Sequence, residues 1–211
     1  MHRSTEFTFG LPWVVSFFHQ DWRLDASTEA DAVAGQFVEE LEPQAVLLVR
    51  RDAQLLHERL PAERITTLWN GCVESGERFF RNSRLADGAE WMRQVIAVCD
   101  EWILRHPHTV TLSEADQYEG RELDGRVRSA IAEFEDWFDR GMVQALIECV
   151  ELCTPDLAFR LLLQALPRAS AASSPDYLEL SKQQYARLAS LGREFRYGAY
   201  VVSDVEYLAR A

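Results

Sequence analysis

Nine residues near the start of the chain carry its densest set of reactive and aromatic side chains: Phe17-Phe18-His19-Gln20-Asp21-Trp22-Arg23-Leu24-Asp25. His19, Asp21 and Asp25 are the types that an acid/base pair or a small metal site would use. On a helix continuing past Trp22, positions 21 and 25 would share a face and His19 would lie away from it. Two ligands at that spacing, with no Cys or His cluster near them in sequence, do not make a zinc site. The competing reading is architectural. Phe17, Phe18 and Trp22 enter the core, while His19, Gln20 and Asp21 hydrogen-bond backbone groups left open where a first helix ends. The architectural reading is the stronger.

Cys149 and Cys153 are four apart on an expected helix, so both sulfurs would share one face. Metal or redox use would need two further ligands, whereas an apolar core stripe needs nothing more, and packing is the expectation. With Cys72 and Cys99 they are expected to be reduced thiols. His106 and His108 flank Pro107 at an expected helix end and are given no role. No glycine-rich phosphate loop, Gly-x-Ser-x-Gly elbow, Asp-Phe-Gly or His-Glu-x-x-His motif occurs. The expectation is a non-enzymatic protein with no catalytic residue, no metal and no cofactor.

The elements that must position these residues read as helices. Apolar spacing predicts helices over 10–20, from a Ser27 or Thr28 cap to Leu41, from Pro43 to Leu60, and from Pro61 to about Val73. A polar connection over 76–86 then leads to a helix opened by Asp87 and Glu90 in the form of a capping box and ending near His106-Pro107. In the second half, helices are expected over 122–140 and 142–153. A third should run from the Thr154-Pro155-Asp156 start signal to Leu166, and a fourth from Pro175 to Leu191 with Gly192 as its stop. Pro167 to Pro175 reads as a loop, residues 195–202 as a strand or an extended packing segment, and Ser203 as the cap of a last short helix. The fold class is therefore all-α, a helical bundle of two packed modules, 1–106 and 107–211, with the boundary near 105–112.

Charge limits the partners. The chain carries 34 acidic against 22 basic residues for a net charge of −12, a field that repels nucleic acid and anionic membrane and attracts basic partners. No apolar run approaches the roughly 20 residues of a membrane span and no signal peptide is evident, so a cytoplasmic protein is expected. Glu39, Glu40 and Glu42 would end the second helix, where the macrodipole disfavours acids, and a partner-facing patch or plain solvation would explain them. Glu133, Glu135, Asp136 and Asp139 interleave with Phe134, Trp137 and Phe138 in a mix that binds a basic surface or bounds a core.

The pattern Phe18-His19-Gln20-Asp21-Trp22 with Leu24 and Asp25, then Val33 and Phe37, leucines from Leu47 to Leu56, and Asp87-Gly88-Ala89-Glu90-Trp91-Met92 resembles a family of small helical immunity proteins. These belong to bacterial contact-dependent growth inhibition and related polymorphic toxin systems. The likeness covers about residues 9 to 104, with Phe18, His19, Asp21, Trp22, Asp87, Glu90 and Trp91 as its structural markers. It departs from the family in the Arg-rich stretch Cys72 to Arg84 and has no counterpart for the second half. The resemblance implies a protein that binds and neutralises a cognate toxin by occlusion, without catalysis. The alternatives are a helical adaptor or regulatory protein and an enzyme with a site around His19, Asp21 and Asp25.

Overall fold

The computed structural model describes residue 3, residues 6–106 and residues 111–209; Pro107 and His108 lie outside the described residues. Every regular element among them is helical, so the chain is an all-α helical bundle. It divides into two compact units. One spans residues 9–113; the other joins residues 114–209 to residues 3 and 6–8. Arg3 and residues 6–8 thus go with the second unit, where the Arg3 guanidinium bonds the Asp156 carboxylate.

In the 9–113 unit, α1 (Leu11–Val15) has five residues, not the longer helix expected over 10–20. Its first N–H is held by the buried Asp52 carboxylate, with Leu11 N donating to Oδ2 at 2.9 Å. The helix stops because the adjacent rings Phe17 and Phe18 go to different neighbours: Phe17 packs edge-on to Trp13, and Phe18 meets a separate aromatic group. A 3-10 turn at Trp22–Leu24 follows, which places Asp21 and Asp25 at its two ends rather than on one helical face.

α2 (Glu29–Gln36) starts with a reciprocal capping box, Asp31 N to Thr28 Oγ1 at 3.1 Å and Thr28 N to Asp31 Oδ2 at 3.0 Å. It ends at Gln36, short of Leu41. Next come α3 (Pro43–Arg59), α4 (Ala62–Cys72) and α5 (Arg78–Arg81), the last a single turn within the expected connection that buries Phe79. α6 (Gly88–Arg105) is capped by Asp87, whose Oδ1 accepts from Glu90 N at 2.9 Å. The return bond of a box is displaced by one residue, because the Glu90 carboxylate accepts from Ala86 N instead. α6 packs along α3 and α4 and against α2.

In the other unit the expected helix over 122–140 breaks in two. α7 (Asp124–Glu133) ends where Phe134 turns fully into the core, a 3-10 turn covers Glu135–Trp137, and Asp139 caps α8 (Arg140–Glu148). α8 widens into a π turn at Cys149–Cys153, after which Thr154 caps α9 (Pro155–Ala172) through Leu157 N at 3.0 Å. α9 continues through Pro167, so most of the expected loop from 167 is helical; Pro167 forfeits one backbone bond and the packing of the rest outweighs it.

α10 (Lys182–Glu194) begins not at Pro175 but at Lys182, after the Ser181 cap that forms a capping box with Gln184. Gly192 lies inside α10 rather than stopping it. A Cβ there would come within 2.4 Å of Val202 Cγ2, so the glycine admits a neighbour. Residues 195–202 form turns rather than a strand, with Phe195 and Tyr197 stacked on each other at 5.3 Å and both on Phe159. The isolated pairing of Leu180 with Ala209 is the extended contact found among the described residues. Residues 203–208 make a 3-10 helix.

α4 and α6 approach closely at Gly88, where a Cβ would meet Thr66 N at 2.5 Å and Ile65 C at 2.7 Å. These are backbone atoms of α4 and cannot swing aside. Gly88 N also donates to Thr66 Oγ1 at 2.8 Å. Gly88→Ala is expected to destabilise the chain by about 1–3 kcal/mol, as overpacking does, measured as a lower urea midpoint. Gly125→Ala, where a Cβ meets open space, should leave that midpoint unchanged or raise it.

Candidate functional site

Two stretches that are far apart in sequence meet in one aromatic cluster. Phe18 lies edge-on to Trp22 at 5.2 Å, to Phe79 at 5.1 Å, to Trp91 at 5.6 Å and to Trp69 at 5.7 Å. Trp69 and Trp91 are themselves 5.3 Å apart at a steep angle. All five rings are buried. Edge-to-face pairs of this kind add about 0.5–1.5 kcal/mol each beyond their buried area. The indole N–H groups of Trp69 and Trp91 have no nitrogen or oxygen partner, a cost that the ring contacts around them must offset.

The polar residues of the same stretch face outward. His19, Gln20, Asp21 and Asp25 are exposed. His19 Nδ1 accepts from Asp21 N at 3.3 Å, and Gln20 lies 3.5 Å from the Asp21 carboxylate. Arg23 covers the Trp22 ring at 4.4 Å and bonds Glu29 at 3.0 Å and the Asn82 carbonyl at 2.9 Å. These bonds hold the turn to its surroundings. Among the described residues no three His, Cys, Asp or Glu side chains converge on a common metal position.

The acidic candidates fall into different situations. Glu39 and Glu40 are exposed in the turn after α2, next to Val38, which is 52% exposed. Glu42 is the residue before Pro43 at the start of α3. There the helix dipole favours an acid, so the local penalty expected for a helix C-terminus does not arise. In the other unit, Glu133 takes both arms of the Arg187 guanidinium and Asp139 caps α8 through Met142 N at 2.9 Å. Glu135 and Asp136 are exposed on the turn between them.

A charged cluster in that unit joins residues that the sequence reading did not bring together. Asp156 accepts from Arg3 Nη2 at 2.8 Å, from Arg160 Nη2 at 2.8 Å and from the Tyr197 hydroxyl at 2.9 Å. Arg3 also donates to the carbonyls of Phe195 at 3.1 Å and Tyr118 at 2.7 Å. The Arg3 and Asp156 side chains are wholly buried and that of Arg160 is 2% exposed, so no substrate reaches them. They act as a clasp that pins the N-terminal residues to this unit. Burial makes the pairing obligatory, since removing one partner leaves a charge that water cannot reach. A sequence pattern could show only the Asp156–Arg160 spacing of four on α9.

No family model, curated protein or solved structure matches the chain. No helix among the described residues is long and apolar enough to cross a membrane.

Burial and the Asp156 carboxylate push the Tyr197 phenol well above its usual value near 10. The unfolded chain releases that proton near pH 10 while the folded chain keeps it. The protection is therefore complete below about pH 10 and is lost progressively as pH rises further. Thermal midpoints should fall above about pH 10, and Tyr197→Phe should remove part of that slope while lowering the midpoint at neutral pH through loss of the hydrogen bond.

Burial also pushes the thiol of Cys72 up to about 12, and burial with the neighbouring Asp100 does the same at Cys99. Cys149 and Cys153 are equally sequestered, and none of the four is in a disulfide. The native chain is expected to leave an aromatic disulfide reagent unreacted over minutes at about pH 8, and to titrate four thiols in denaturant.

Proposed function

We propose that the chain is an immunity protein acting in the cytoplasm, one that binds a cognate toxin domain and neutralises it by occlusion. The observation that carries this reading is the meeting of the two family-like motifs. Phe18 and Trp22 of the first stretch and Trp91 of the Asp87-Gly88-Ala89-Glu90-Trp91 stretch share one buried cluster. That is what two parts of one inherited fold motif would do. His19, Gln20, Asp21 and Asp25 of the first stretch meanwhile stay at the surface.

A net charge of −12 supports a basic partner, because complementary fields raise association rates and select against anionic competitors. Within the 9–113 unit the candidate contact is Glu39 and Glu40, with exposed Val38 as an apolar anchor beside them. In the other unit, Glu135 and Asp136 are the acids available to a partner, whereas Glu133 and Asp139 have structural duties.

The reading predicts a toxin gene beside this one, and the test is co-expression with its product, read as cell survival and as a complex on size exclusion. Protection and a stoichiometric complex are expected. Glu39→Lys with Glu40→Lys should slow association by about tenfold or more at low salt, with the effect shrinking as salt rises. His19→Ala should leave protection intact. A chain that neither binds the toxin nor protects the cell overturns the proposal.

A further inference from the structure

The segment carrying Arg3 lies on residues 114–209 much as a bound peptide lies on its receptor. Residues 3 and 6–8 belong to no helix or strand. Glu6, Phe7 and Thr8 touch the unit at its surface. The Glu6 carbonyl accepts from Tyr200 N at 3.0 Å, Thr8 Oγ1 donates to Asp204 Oδ2 at 2.6 Å, and Phe7, itself 63% exposed, stacks on Tyr200 at 5.0 Å. The Arg3 side chain, by contrast, goes wholly inside. One buried anchor and a few bonds along the backbone are the means by which extended peptides are recognised.

The pocket around Arg3 is made by three segments of the 114–209 unit. The Asp156 carboxylate lies 2.8 Å from Nη2, and the carbonyls of Tyr118 and Phe195 accept from Nη2 and Nε at 2.7 and 3.1 Å. The rings of Tyr118 and Tyr197 stand 5.9 and 5.2 Å from the guanidinium carbon. These walls have braces of their own. Asp156 N donates to the Glu119 carbonyl at 3.1 Å, Arg160 holds the same carboxylate through Nε and Nη2, and Phe195 and Tyr197 stack on Phe159. Acceptors spread along one edge of a flat fork, with phenol rings beside it, suit a guanidinium. An ammonium supplies the charge without the fork, and a urea supplies the fork without the charge.

We propose that residues 114–209 form a receptor for an arginine side chain, which Arg3 occupies as a ligand carried on the same chain. The consequence is self-occupancy: an arginine from outside enters only where the strap of residues 3–8 lifts. The inference concerns the unit that lacks the immunity-like motifs and does not rest on the toxin reading.

The test uses the full chain with Arg3→Ala, which empties the pocket and keeps the rest of the strap. N-ethylguanidinium replaces the lost atoms, N-ethylurea is its neutral counterpart of the same shape, and propylammonium is the lysine-like cation. On the ¹⁵N-labelled variant, N-ethylguanidinium should give saturable amide shifts centred on Tyr118, Asp156 and Phe195 to Tyr197. It should raise the thermal midpoint by about 3–6 °C at ten times its dissociation constant. N-ethylurea and propylammonium should each bind about tenfold more weakly, and the unsubstituted chain, its pocket filled, should show neither the shifts nor the rise. Rescue by N-ethylurea equal to that by the guanidinium would mean that a void is being filled, and equal rescue by propylammonium that any cation serves; either overturns the assignment. So does a rise of the same size in the unsubstituted chain. The absence of any saturable effect, whether the variant folds or stays unfolded, makes Arg3 part of the frame rather than a ligand and overturns it as well.

Discussion

Rings from four separate segments meet around Phe18, and the architecture of residues 9–113 depends on that meeting. Trp69 comes from α4, Phe79 from the single turn of α5, Trp91 from the first turns of α6, and Trp22 from the 3-10 turn beyond Phe18 itself. The close approach of α4 and α6 at Gly88 sets how near Trp69 and Trp91 can come. A glycine between the Asp87 cap and Trp91 is thus a packing requirement. Its conformational freedom is beside the point, since Gly88 is the first helical residue of α6.

The other unit solves a different problem by different means. Its long central helix is buried nearly all round, from Pro155 to Leu163, and this includes two residues that could not be buried alone. Asp156 and Arg160 compensate each other, and Arg3 and Tyr197 also bond the carboxylate. The desolvation cost of such a group offsets much of its attraction, while loss of any one partner would leave a charge buried without compensation.

Much of this was legible wherever the determinant is local. Thr28, Asp87 and Thr154 announce their helices by side chains that bond a backbone N–H three residues on, and each does so. Ser181 with Gln184 carries the same signal, yet Pro175 looks like a start in its own right and drew the boundary seven residues too early. Pro167 and Gly192 mislead for one reason: both are breakers by propensity, and each sits in a helix because of what packs beside it. The aromatic character of the Phe17–Trp22 stretch was readable, but its neighbours Trp69 and Phe79 were not, since neither shares a periodic pattern with it. Arg3 is the extreme case, with no local feature to mark it as the most deeply held arginine with Arg160. Tyr177 falls within the helix expected from Pro175, whereas the chain there is not helical until the Ser181 cap.

The clasp at Arg3 also fixes an order of events during synthesis. Residues 9–113 are contiguous and can fold as they emerge, as N-terminal units generally do. The other unit is split by them, because Arg3 is made before residues 9–113 and its acceptor at the Phe195 carbonyl follows 192 residues later. Arg3 must therefore wait, through the making of a whole unit, for the groups that hold it.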